Sequence, residues 1–306
     1  MIKIEGLNKN YQEHRALEDV NLTIKEGSIH GLLGKNGAGK TTAMNILAGI
    51  LDYDKGEIYY RGMDYKEHKG KILKNIGYAP QEHSFYEYMN LEEYLNFLGR
   101  ISGMEKSHIK RRIIDLTGLM GLTGNEKKPI GKYSGGMKQR LSIISAVFNN
   151  PDFLILDEPT SALDVEGRKE ILELIRNLRE RGITVLISTH ILKDVEMICD
   201  EVTIIHEGRI KLSQGLKELK EEYILPIYDI ELGKGFKDDF MNLEALPFIK
   251  SVYCTEELLT VVFKDNNCNS SLLLSELLKM GVDIRSFTLR EPSLEDIFMR
   301  MVGKNG

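Results

Sequence analysis

Residues 28–51 read SIHGLLGKNGAGKTTAMNILAGIL, and the order of residue types in this stretch sets the fold class. An apolar run from Ile29 to Leu33 comes first, then a glycine-rich turn, then a segment with apolar residues at helical spacing. Gly34, Gly39, Lys40 and Thr41 complete the pattern G-x-x-x-x-G-K-[ST], which marks a loop that cradles phosphates when a strand precedes it and a helix follows. Glycine permits backbone conformations that turn successive N–H groups toward one anion, and the helix start adds its partial positive charge. Gly34, Lys35, Asn36, Gly37, Ala38, Gly39 and Thr42 are therefore the expected cradle, with Lys40 reaching the terminal phosphates and the Thr41 hydroxyl offered to magnesium.

A matching acid lies downstream in FLILDEPTSALD, residues 153–164. Its apolar start reads as a buried parallel strand, and Asp157 at the carboxyl end stands where ligand sites form in open α/β sheets. Asp157 is the expected magnesium holder, directly or through water. Glu158 should point elsewhere, because side chains alternate along a strand, and is the candidate base for an attacking water.

The surroundings narrow the class. The chain has 306 residues, 42% hydrophobic and 28% charged, which is globular composition. A net charge of -5 gives no basic field to attract nucleic acid, so nucleic acid is not expected as a partner. Cys199, Cys254 and Cys268 are odd in number and lack C-x-x-C spacing, which fits neither a disulfide framework nor a zinc site and points to a reducing cytoplasm. MIKIEGLNKNY alternates like a strand and lacks the features of a signal peptide. LSIISAVF at 141–148 falls far short of the roughly 18–20 apolar residues a membrane helix needs; if a membrane is involved, another subunit supplies it.

A second glycine-rich helix start, YSGG at 133–136, offers further N–H groups and the Ser134 hydroxyl ahead of a helix expected over 137–149. Alone it is a weak signal, since serine-glycine-glycine turns before helices are common. The order of the motifs is more telling: phosphate loop, Gln81 after the strand IGYA, SGG before a helix, strand-Asp-Glu, SALD, then a strand ending in STH at His190. Over about residues 1–218 this order resembles the ATP-binding-cassette (ABC) ATPases.

That resemblance implies an α/β P-loop NTPase cassette with a helical subdomain at about 82–145. It implies ATP and Mg2+ as cofactors, and a head-to-tail pair in which each chain's signature loop closes over the ATP on the other's phosphate loop. The partner is a second copy or a homologous cassette. Tyr11 matches the aromatic that stacks on adenine. Gln81 matches the glutamine that contacts magnesium and the attacking water, and that links ATP to the membrane partner. Ser134, Gly135 and Gly136 match the signature residues facing the γ-phosphate, Asp164 the aspartate that communicates between the two sites, and His190 the switch histidine. Met137 departs from the family's usual glutamine, and Gln139 follows two residues later.

Between Gln81 and Tyr133 the pattern is helical, with Asn90 and Glu93 at capping-box spacing. Phe85, Tyr86, Tyr88, Tyr94 and Phe97 either form an interface, where the family receives a coupling helix from its membrane subunit, or fill the subdomain's own core. After a polar boundary stretch at 216–223 the expected order is strand (227–232), helix (near 237–246), strand (249–254), strand (258–263), helix (270–279) and strand (282–289). This βαββαβ order is ferredoxin-like, a small α+β domain over 219–306. A last amphipathic helix would carry Leu294, Ile297, Phe298 and Met301 on one face. This ending resembles the extension of cassettes that serve ABC-2-type exporters; it is consistent with dimerisation, ligand sensing or bracing.

The reading is an ATPase subunit, cytoplasmic and peripheral on the inner face of the cell membrane, powering export through a separately encoded transmembrane subunit. An importer subunit is the alternative, and a soluble ABC ATPase acting on ribosomes or nucleic acid a more distant one.

Overall fold

The computed structural model describes residues 1–12, 14–223, 226–233, 240–255, 257–264, 270–295 and 297, and the chain divides into two compact units, Met1–Leu216 and Lys217–Gly306. The strands of the first are β1 (Ile2–Tyr11), β2 (His14–Ile24), β3 (Ile29–Leu33), β4 (Lys55–Tyr60), β5 (Met63–Asp64), β6 (Ile76–Ala79), β7 (Phe153–Asp157), β8 (Thr184–Thr189), β9 (Glu201–His206) and β10 (Arg209–Gly215). They form two sheets, ordered β2-β1-β4-β5 and β10-β9-β3-β8-β7-β6. The second is parallel apart from β10, which pairs antiparallel with β9.

β3, β7 and β8 are buried at every position, as expected of largely apolar parallel strands covered on both faces. The helix Lys40–Leu47 puts Met44, Ile46 and Leu47 into one core. There they join Ile4, Leu22 and Ile58 of the antiparallel sheet and Leu32, Phe153 and Leu186 of the parallel sheet. At about 1.5–3 kcal/mol per fully buried large apolar side chain, this layer anchors the phosphate loop from both sides. The antiparallel sheet went unrecognised apart from β1, because β2 and β4 mix charged and apolar residues without strict alternation.

Helices Gly135–Val147, Val165–Glu180 and Leu192–Ile198 contact the parallel sheet. Helices Leu91–Ile101 and Lys106–Leu119 pack on each other. Asn90 and Glu93 complete the expected capping box: the Asn90 side chain accepts from the Glu93 N–H at 2.9 Å, and the Glu93 carboxylate accepts from the Asn90 N–H at 3.0 Å. Among the described residues no helix is long and apolar enough to cross a membrane.

In the second unit β11 (Ile227–Leu232), β12 (Ile249–Cys254), β13 (Leu258–Phe263) and β14 (Ile284–Leu289) are ordered β12-β13-β11-β14, every neighbour antiparallel. Counted within this unit the order is 2-3-1-4, that of the split βαβ arrangement. Leu273 and Leu277 of helix Ser270–Lys279 fill its core with Ile230, Val261 and Phe263.

Three details differ from expectation. The first helix of this unit is a 3-10 turn, Phe240–Ala245, and its expected start at Lys237 lies outside the described residues. The polar stretch read as a boundary is itself a helix, Leu216–Glu222. The final strand starts two residues late, at Ile284. Leu294 and Ile297 are buried as the amphipathic pattern required, while Phe298, Met301 and Cys268 lie outside the described residues.

Candidate functional site

The phosphate loop joins β3 to helix Lys40–Leu47, and two of its glycines are there of necessity. A Cβ on Gly34 would sit 2.5 Å from the Ile205 carbonyl oxygen. Gly39 has φ +108°, and its Cβ would lie 2.7 Å from the Ala16 carbonyl. Lys40 folds back along the loop. Its Nζ donates to the Gly34 carbonyl at 2.8 Å and the Lys35 carbonyl at 3.3 Å, and lies 3.3 Å from Glu158 Oε1. Both side chains are about 5% exposed, so this is a buried ion pair inside the cradle.

Asp157 ends β7, its Oδ1 accepting from the buried Ser188 hydroxyl of β8, while Oδ2 is buried with no hydrogen-bond partner. A carboxylate oxygen in that condition is costly unless something positive meets it, so Asp157 fits a divalent cation, for which the exposed Thr41 at the start of helix Lys40–Leu47 is the other candidate holder. Glu158 does leave the strand direction, but not by simple alternation. It has φ +50°, a left-handed turn rare outside glycine, and its N–H donates to Ser188 Oγ at 2.9 Å. Its Oε2 lies 2.7 Å from His190 Nδ1, just beyond β8. Ser188, which ties both acids together, was not singled out from the sequence, although it begins the STH quoted there.

Most of the expected residues line one of two clefts, while Gly34, Lys35, Asp157 and His190 line neither. One, of about 300 Å³, is lined by Tyr11, Asn36, Gly37, Ala38, Gly39, Lys40, Thr41, Thr42, Gln81 and Glu158, with His14 and Ala16 as lining residues that sequence reasoning did not name. Tyr11 is 45% exposed and pairs across the sheet with His14. The other cleft, of about 560 Å³, is lined by Ser134, Gly135, Gly136, Met137 and Asp164, with Arg140 and Glu166 among its other walls. Ser134 caps its helix, Oγ accepting from the Met137 N–H at 3.3 Å, and Asp164 caps the next, Oδ1 accepting from the Gly167 N–H at 2.9 Å. The signature helix starts at Gly135, two residues before its expected start.

Gly135 and Gly136 differ from the glycines of the phosphate loop. Neither has a positive φ; a Cβ on Gly135 would meet nothing within 4 Å, and one on Gly136 only Leu163 at 3.8 Å. Gln139 is turned inward, its Oε1 2.6 Å from His83 Nε2, so it does not stand in for the glutamine missing at Met137. Of the five aromatics at 85–97 none is buried, and Tyr86, Tyr88 and Phe97 are exposed. Tyr86 touches both Tyr88 and Phe97, with ring centroids 5.9 and 5.8 Å apart.

The family described as "ABC transporter" matches residues 17–161, and "ATP-binding protein DrrA1-3-like, C-terminal domain" matches 215–302. The chain is 37% identical to the uncharacterized ABC transporter ATP-binding protein YxlF of Bacillus subtilis (strain 168) over 99% of both chains. It is 33% identical to the bacitracin transport ATP-binding protein BcrA of Bacillus licheniformis over 99% of this chain and 97% of that one. A bacterial ABC transporter cassette solved as a dimer superposes with a TM-score of 0.64 and 27% identity, covering 71% of this chain and 99% of its own. Since relatives at 37% and 33% identity match it over nearly their whole length and its own, the chain belongs to the ATP-binding proteins of the ABC transporter family and is an ATPase.

Proposed function

We propose that this ATPase powers export through a separately encoded transmembrane subunit, on the inner face of the cell membrane, as a head-to-tail pair with a second copy or a homologous cassette. The observation that carries the pairing is the separation of the phosphate loop and the signature loop into two clefts of one chain. Gly135 and Gly136 fit it: nothing described within the chain requires glycine there, and a bare backbone leaves room for a molecule approaching from outside. The partner's nucleotide is that molecule in this reading.

Bound ATP draws Lys40 from the loop carbonyls and from Glu158 toward the terminal phosphates. Glu158 then accepts the proton of the attacking water, with its carboxylate held in orientation by His190. Gln81 reports occupancy to the segment that follows it, and Tyr11 stacks on the adenine. Asp157 and Thr41, with Gln81, would hold a magnesium ion, which would supply positive charge to the phosphate oxygens. Asp164 communicates between the two composite sites. Taking the pair from 1:99 to 99:1 closed needs about 5.5 kcal/mol of differential binding. A few charge-assisted hydrogen bonds at about 1.5–3 kcal/mol each supply it.

Export rather than import is supported by a relative, the Nod factor export ATP-binding protein I of Ralstonia nicotianae, 30% identical over 99% of this chain and 94% of its own. The exposed Tyr86, Tyr88 and Phe97 cluster is the docking face for the membrane subunit. Tagged Glu158→Gln chain purified from native membranes with ATP and magnesium should bring a polytopic membrane protein in stoichiometric amount. Adding Tyr86→Ser and Tyr88→Ser should lose most of it while ATP binding persists. Ribosomes or nucleic acid in its place would overturn the transport reading.

A further inference from the structure

Asp194 is a fully buried carboxylate that no step of the reaction above uses. It lies in helix Leu192–Ile198, four residues after His190. Its Oδ2 accepts from the buried Thr160 hydroxyl at 2.6 Å, and its Oδ1 accepts from Arg168 Nε. Thr160 stands between Glu158 and Asp164, and Arg168 lies one helical turn beyond Asp164, its N–H bonded to the Asp164 carbonyl at 2.9 Å. One buried carboxylate therefore joins the segment following β7 to the segment following β8.

The need for such a joint follows from the sheet. β7 and β8 are in register through Asp157 and Ser188, and there the ladder ends. Glu158 then turns away through a left-handed conformation, and His190 lies past the last strand residue. Backbone pairing no longer sets the distance between them, although the contact between their side chains is 2.7 Å. Beyond Glu158 the loop closes on itself, Ser161 N–H donating to the Glu158 carbonyl at 3.3 Å and Leu163 N–H to the Thr160 carbonyl at 3.2 Å. These bonds shape the loop without fixing it to its neighbour. Ser188 ties the Glu158 N–H to β8 at 2.9 Å, and the Thr160 and Arg168 contacts to Asp194 hold the residues that follow it.

We infer that Asp194 is a positioning residue: a cross-brace, through Thr160 and Arg168, that holds the Glu158 carboxylate against His190 and sets Asp164 at the wall of the second cleft. The inference rests on the roles proposed for Glu158 and His190. Misplacing a reacting group by about 1 Å can cost a hundredfold in rate, so partial loosening of the brace should show in turnover before binding.

The test uses the full-length chain and separates turnover from affinity. Thr160→Val keeps the shape and removes one bond; kcat for ATP should fall about tenfold, with KM and ATP Kd within twofold of the parent. Thr160→Ser should restore kcat to within twofold. Arg168→Met reaches the same carboxylate from its partly exposed side and should reproduce the kcat loss, which covers the case of Thr160→Val failing to fold. Parent-level kcat in folded Thr160→Val or Arg168→Met, with only a lowered Tm, would overturn the brace. Glu158→Gln assayed alongside keeps the two failures apart. If it is inactive while Thr160→Val is unaffected, the brace alone is wrong; if it turns over normally, the assignment of the base is wrong.

Discussion

Glu158→Gln is expected to lower kcat for ATP hydrolysis by roughly 10²–10⁴-fold, the range general-base removal commonly produces. ATP binding should persist. Glutamine keeps the length of the side chain and its hydrogen bond to His190, but loses the negative charge that Lys40 neutralises at 3.3 Å. A buried cation left without its partner is the larger local perturbation, and it strengthens the pull of Lys40 toward an incoming phosphate chain. The variant should therefore hold ATP at least as tightly as the parent and accumulate as a closed dimer. Phosphate release at steady state measures the first effect, and light scattering with ATP present the second. Turnover at the parent rate would remove Glu158 from the role of base.

Ser134→Arg should abolish closure and with it turnover, by a comparable factor, while the isolated chain still binds ATP. Ser134 and Gly135 are exposed, and the wall of the second cleft is otherwise open around them. A guanidinium there occupies the space left bare for an approaching molecule. The fold itself loses only the helix cap, a cost of about 0.5–2 kcal/mol at most sites and less here because the Ser134 to Met137 bond is long at 3.3 Å. Light scattering of Ser134→Arg combined with Glu158→Gln should report a monomer at ATP concentrations that dimerise Glu158→Gln alone. A closed dimer in that double variant would mean that the signature loop does not face nucleotide.

Local signals carried much of the design. The loop at 34–42, the acid pair at 157–158 and the capping box at Asn90 are each specified by residues a few positions apart, and the structure has all three in the expected elements. Two kinds of feature escaped. The antiparallel sheet depends on pairing between strands some 50 residues apart, β1 with β4, and mixed burial along each strand hides its period. The bonds made by Ser188 and Asp194 depend on which side chains meet once β7 and β8 lie side by side, and no spacing in the sequence announces that. The turn at Glu158 belongs with these: a positive φ at a residue other than glycine is enforced by its surroundings.

The two clefts on one chain also have a genetic meaning. In the head-to-tail pair proposed above, built here from one Lys40→Ala copy and one Ser134→Arg copy, both lesions would fall on the same composite site. The opposite site would be assembled from the unaltered phosphate loop of one copy and the unaltered signature loop of the other. Two alleles that are each inactive alone should complement when expressed together, and two alleles damaged in the same cleft should not.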